Sequence, residues 1–258
     1  MNFNQYISEF LSKGGVNKNE KILLHSNIKN LYRILLNEKF KFKIDDIANC
    51  FIDFIGPEGT LIIPAFNFKF CIGEKFSIKN TKSEMGVLSE TFRNISEKNR
   101  TWHPVYSFSL HGKIPYDQLE KKNYSAYGKK SLFNWLLENE GKISILDLPD
   151  QNSMTFYHFV EEYHNVNWRF HKNFYGEYED FDNNISKINA SIFVRKIDEG
   201  IVTDVTNMEK ILWEKNLFKG HKHRSYFGLR SIKSRDLFDE VSLVIKNNQA
   251  EGKLYKKI

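Results

Sequence analysis

Residues 21–26 read Lys-Ile-Leu-Leu-His-Ser, and this short run sets the fold class. An unbroken apolar centre that ends in polar residues is the pattern of a buried strand. Two similar runs follow, TLIIPAF at 60–66 and KISILDL at 142–148. Helical patterns separate them. Residues 3–11 place apolar side chains at helical spacing, and Gly14-Gly15 stop that helix. Residues 44–55 form a second amphipathic helix closed by Gly56-Pro57. A third is expected over 84–98, with Ser83 as N-cap and Glu84 in its first turn. Residues 131–140 make a helix ended by Gly141, and 153–164 make another. Strands alternating with helices predict an α/β fold with a mixed, largely parallel central sheet layered by helices.

After about residue 168 the pattern changes. Residues 169–183 are aromatic and polar, 188–197 read as a strand, and 211–218 and 234–248 read as helices. The expectation is one domain over 1–258. Residues 1–167 form its core, and 168–258 form a smaller C-terminal α+β cap. No repeat, linker or clear boundary interrupts it.

The 258 residues are 41% hydrophobic, which rules out bulk disorder. Cys50 and Cys71 are too few for a disulfide framework or a four-sulfur metal site. Both lie among apolar neighbours, the setting of an inert thiol. No run approaches a membrane span of roughly 18 apolar residues. The N-terminus carries Glu9 and no apolar h-region, so a cytoplasmic protein is expected. The net charge is +6, yet alanine occurs only at 48, 65, 126, 190 and 250. That bias points to AT-rich coding, which raises lysine without selection for a basic surface. The positive charge is spread along the chain, so no nucleic-acid footprint is expected. Anionic small ligands remain favoured.

Neither a dinucleotide fingerprint, a phosphate loop nor a GxSxG elbow is present. His158 stands three and four residues before Glu161 and Glu162, on one helix face. A carboxylate there can hold one ring N–H and leave the other nitrogen as a base near neutral pH. The competing reading is a helix-surface pair worth about 0.2–0.5 kcal/mol. His103-Pro104 is a ligand loop or a turn. His221, His223 and Arg224 offer a phosphate or metal site, or a solvated basic loop. His25-Ser26-Asn27 ends a strand and opens a helix-like segment, a turn suited to phosphate or amide groups.

Taken in order, several segments resemble the aminoglycoside 3-N-acetyltransferase family. They are ILLHSNIKNL (22–31), GPEGTLIIPAF (56–66), SEMGVLSETFRN (83–94), RTWHPVYSFSLHG (100–112), YGKKSLFNWLLENEGKISIL (127–146), MTFYHFVEE (154–162) and RFHKNFYG (169–176). Thr155-Phe156 looks like the branch that acts on nucleotide-linked amino sugars. Pro64-Ala65-Phe66 lacks the family's usual threonine, and Ser131-Leu132 stands for its Ser-Pro.

The resemblance implies acyl transfer from acetyl-CoA, or another short acyl-CoA, to an amine, with no metal. It places the essential histidine on His158 and its glutamate on Glu161, with Glu162 as rival. It assigns His25, Ser26 and Lys29 to the CoA-binding turn and Ser107, Tyr127 and Ser131 to the CoA channel. Thr155, Arg169 and Lys172 fall to the acceptor. Together with His221, His223 and Arg224, the last two suggest an anionic acceptor, a dTDP- or UDP-linked amino-deoxy sugar. The alternatives are an aminoglycoside acceptor and a non-catalytic binding protein. The expected partners are small molecules, with neither nucleic acid nor membrane, and a homodimer stays open.

Overall fold

Ile22, Leu23 and Leu24 are all buried, so strand β1 (Lys21–Ser26) is covered on both faces. The computed structural model describes residues 1–225 and 228–258. Before β1 runs helix α1 (Phe3–Lys13), opened by a capping box between Asn2 and Gln5. After it come α2 (Lys29–Asn37), α3 (Ile44–Ile55) and β2 (Thr60–Pro64). Then follow β3 (Phe76–Ser77), α4 (Val87–Ile95), β4 (Phe108–Gly112), α5 (Tyr116–Glu120), α6 (Leu132–Glu138) and β5 (Lys142–Leu146). Next are α7 (Phe156–Tyr163), the long strands β6 (Arg169–Glu179) and β7 (Ile185–Arg195), and β8 (Ile201–Thr203). The chain ends with α8 (Thr206–Glu214), β9 (Lys219–Gly220), β10 (Leu229–Lys233), α9 (Ser234–Lys246) and β11 (Tyr255–Lys257).

The central sheet has six strands in the order β4-β2-β1-β5-β10-β9. It is mixed, as expected. The parallel pairs are β1 with β2 and β1 with β5 at its centre, and the flanks are antiparallel. Side chains alternate across it. Leu23, Ile62, Ile143 and Ile145 join one core with α6, α7 and α9. Ile22, Leu24, Leu61 and Ile63 join the other with α1, α3 and α4. From β1 the chain turns to β2 on one side, and β5 lies on the other. The carboxyl ends of these strands therefore open a crevice, the usual ligand position in such sheets.

The last third does not stay together as a cap. β10 pairs antiparallel with β5 inside the main sheet, and α9 packs on α6 and α7. Among the described residues, the β3-β6-β7 and β8-β11 sheets alone stand aside. The segment 169–183, read as aromatic and polar, holds an eleven-residue strand. Its alternation is hidden because most of its residues face solvent. The third expected helix also differs. Glu84 and Ser83 precede α4, whose N-cap is Gly86 at φ 97. Ser83 instead bonds the Met85 amide, and its own amide donates to Glu90. The left-handed φ at Gly86 is what ends the loop and starts the helix.

Candidate active site

A short turn at Asp150–Asn152 leads from β5 to Thr155, the N-cap of α7. Asp150 anchors it. Its fully buried carboxylate meets Arg230 at 2.7 Å and accepts the Tyr157 hydroxyl at 2.7 Å. Burial outweighs Arg230 and lifts the Asp150 carboxyl to about 6. Phe156, Tyr157, Phe159 and Val160 bury the inner face of α7. That packing leaves the His158 side chain 20% exposed, with its companion Glu161 only 2% exposed.

His158 Nδ1 lies 2.8 Å from Glu161 Oε2. Two further groups from outside the helix close on the same carboxylate. Arg169 Nε, at the start of β6, lies 2.7 Å from Oε2, and Trp168 Nε1–H donates to Oε1 at 2.9 Å. Burial disfavours the charge on Glu161, but Arg169, His158 and Trp168 together hold its carboxyl below the ordinary range. Burial, and then Arg169, lower His158, with Glu161 opposing. The imidazole is therefore neutral at pH 7. With Nδ1–H given to Glu161, Nε2 is the basic atom. Tyr127 packs edge-on against the ring at 5.5 Å.

His158 lines a cavity of about 230 Å³ with Tyr106, Asp150, Thr155 and Thr203. A larger cleft of about 800 Å³ adjoins it, and His25, Met85 and Asn152 line both. Ser26, Lys29 and Arg33 form its polar wall, and Ile28, Ile44, Leu88 and Leu148 its apolar one. A third cavity of about 530 Å³ continues from it past Lys29 and Arg33 to His223 and Arg224. The basic outer end suits phosphates, the apolar middle suits a flexible arm, and the inner end meets the base. An acyl-CoA fits such a donor set.

Not every expected residue faces these cavities. Ser107 is fully buried, donates to the Ala65 carbonyl and accepts from Arg100 Nε. Ser131 is buried and caps α6 through the Asn134 amide. Arg169 lies beneath Glu161, and Lys172 is exposed beside Phe174 on β6. Glu162 accepts the Ser125 hydroxyl rather than serving His158. His103 is a buried turn residue whose Nδ1 accepts from Val105 and Tyr106, and burial takes it down to about 4. Burial first pushes both thiols up to about 11, so neither is nucleophilic. No metal-binding group of His, Cys, Asp or Glu forms among the described residues. No helix there is long and apolar enough to cross a membrane. Nothing in the sequence marks Trp168 or Arg33, because only the fold brings them to the site.

A neutral histidine steadied by a buried carboxylate, beyond the inner end of a long basic-ended cleft, is an arrangement that can take a proton from a nucleophile. Comparison with known proteins sharpens this. The family model described as aminoglycoside 3-N-acetyltransferase matches residues 23–242. The chain belongs to that family, whose members are CoA-using N-acetyltransferases. Among solved structures, AAC-IIIb in binary complex with CoASH is 14% identical, with a TM-score of 0.77 over 95% of this chain and 96% of that one. The YokD protein from Bacillus subtilis is 17% identical, with a TM-score of 0.76 over 96% and 94%. A histidine-to-alanine mutant of AAC(3)-IVa in complex with apramycin is 17% identical, with a TM-score of 0.69 over 96% and 95%. None of the curated proteins matches.

Proposed function

We propose that this protein transfers an acetyl group from acetyl-CoA to an amine of an aminoglycoside-like amino sugar, with His158 as general base. The observation that supports this most directly is His158 Nδ1 held 2.8 Å from a carboxylate that Arg169 and Trp168 also clasp. An amino-sugar amine titrates near about 8, like an α-amino group, so it arrives partly protonated. His158 Nε2 removes the amine proton as nitrogen attacks the thioester carbon, worth about 10²–10⁴ in rate. Glu161 fixes the tautomer and steadies the imidazolium. The reading takes residues 1–258 as one catalytic unit and Lys29, Arg33 and Arg224 as phosphate-end contacts to CoA.

For the acceptor, an aminoglycoside is favoured over a nucleotide-linked sugar. Of the structures named above, one carries CoASH and another carries apramycin. The basic residues that suggested an anionic acceptor also have other places in the fold. Arg169 is neutralised by Glu161, Lys172 is exposed, and His223 and Arg224 line the outer end of the donor cleft. Glu162, one turn from His158, is a half-buried carboxylate suited to a second ammonium group.

The test is thiol release from acetyl-CoA with kanamycin, gentamicin and apramycin beside dTDP- and UDP-linked amino sugars. Release with the aminoglycosides supports the proposal. Release with a sugar nucleotide alone overturns the acceptor assignment. His158→Ala should bind CoA normally and lose at least about 10² in turnover; turnover like the wild type removes His158 from the mechanism.

A further inference from the structure

The donor cleft and the His158 cavity share His25, Met85 and Asn152, and Thr155 lines the second beside His25. His25 is 6% exposed, with its ring 6.4 Å from Phe66. Its Nε2 lies 3.5 Å from Thr155 Oγ1, the outer limit of a hydrogen bond, and neither atom has another hydrogen-bond partner among the described residues. Thr155 sits at the N-cap of α7, where a threonine hydroxyl ordinarily accepts a backbone amide of the first turn. Here it does not. Both groups are therefore left for something else at the junction.

Two donors 3.5 Å apart can each reach one oxygen about 2.8 Å away. We infer that His25 Nε2–H and the Thr155 hydroxyl bind the thioester carbonyl oxygen and hold the oxyanion formed on attack. This rests on the acetyl-transfer reading above, which requires the thioester to lie where the two cavities meet. As the amine nitrogen bonds to the carbonyl carbon, the C=O π pair moves to oxygen between these donors. His158 Nε2 takes the amine proton. The oxyanion then reforms C=O, the C–S bond breaks, and the CoA sulfur leaves with the proton from His158. The products are the acetamide and free CoA. Burial takes His25 down to about 3, so it acts as a neutral donor rather than a cation drawn to the CoA phosphates.

The experiment compares Thr155→Val, Thr155→Ser and His25→Phe with the wild type, using the acceptor that the wild type acetylates. Steady-state kinetics give kcat and KM for acetyl-CoA, calorimetry gives the Kd of CoA, and thermal melting reports folding. Thr155→Val and His25→Phe should each lose about 10²–10³ in kcat with KM and Kd within about threefold. Thr155→Ser should restore most of the loss. A Thr155→Val enzyme with unchanged kcat, or with only a raised KM, overturns the inference while leaving the acetyl-transfer reading intact. A wild type silent with every amine overturns that reading, and this inference with it.

Discussion

Glu161→Gln probes the site most sharply, because it changes one atom and disturbs three contacts. Oε1 accepts from Trp168, while Oε2 faces both His158 Nδ1 and Arg169 Nε. A glutamine has one oxygen and one amide nitrogen. With its oxygen toward His158, its NH₂ opposes the Trp168 N–H, two buried donors face to face. With the amide reversed, its NH₂ donates to His158 Nδ1, the ring proton moves to Nε2, and the base is lost. Either way Arg169, 6% exposed at its side chain, keeps its charge and loses its one anionic partner among the described residues. Removing one member of a buried pair costs about 3–5 kcal/mol. For a chain of this size that lowers Tm on the order of 10 °C. Turnover should fall by up to the whole general-base contribution, about 10²–10⁴. The sign with pH follows from the direction of the shift. The folded carboxyl titrates below its ordinary value, so its stabilisation is complete above that value and is lost as pH falls through the folded one. The stability gap between wild type and variant should thus close in acid. Thermal melting against pH and thiol release at neutral pH check both limbs. A variant that melts with the wild type and turns over like it would refute the reasoning.

Other outcomes are expected. Because burial and Arg169 lower His158, its proton should not limit kcat/KM until pH falls below 6.5, and the amine near about 8 should govern the slope above that. A pH–rate profile with a histidine limb above 6.5 would contradict this. Ser107→Ala strips a partner from the buried Arg100 Nε and should cost about 1–3 kcal/mol by denaturant unfolding, with KM for acetyl-CoA unchanged. A raised KM without lost stability would return Ser107 to the CoA channel. Ser131→Ala should likewise cost about 0.5–2 kcal/mol as a lost helix cap. If the proposed donor site holds, Lys29→Ala combined with Arg33→Ala should raise KM for acetyl-CoA several-fold, more at low salt than at high, because both side chains line the basic outer part of the cleft.

Much of this protein was legible in its sequence wherever the interactions are local. Residues 44–55 form a helix with the bounds the pattern and Gly56 demand, and the three apolar runs became β1, β2 and β5. His158 meets Glu161 because three residues on a helix bring two side chains onto one face, whatever surrounds them. Local spacing cannot rank Glu161 against Glu162. That depended on Trp168 and Arg169, which follow α7 and close on Glu161 as β6 begins, and on Ser125, which takes Glu162. The fate of hydroxyls was also beyond a linear reading. Ser107 and Ser131 look like any channel serine until the fold places Arg100 beside one and the start of α6 after the other. The sheet order had the same limit, since β10 enters beside β5 across more than eighty residues of chain. Periodicity determined which segments are helix and strand and which histidine carries a carboxylate. Tertiary structure alone decided which carboxylate is clasped beside His158, which hydroxyls are left over, and that His25 and Thr155 meet at one point. Charge stabilisation and donor geometry depend on groups distant in sequence that only the assembled sheet brings within 3.5 Å.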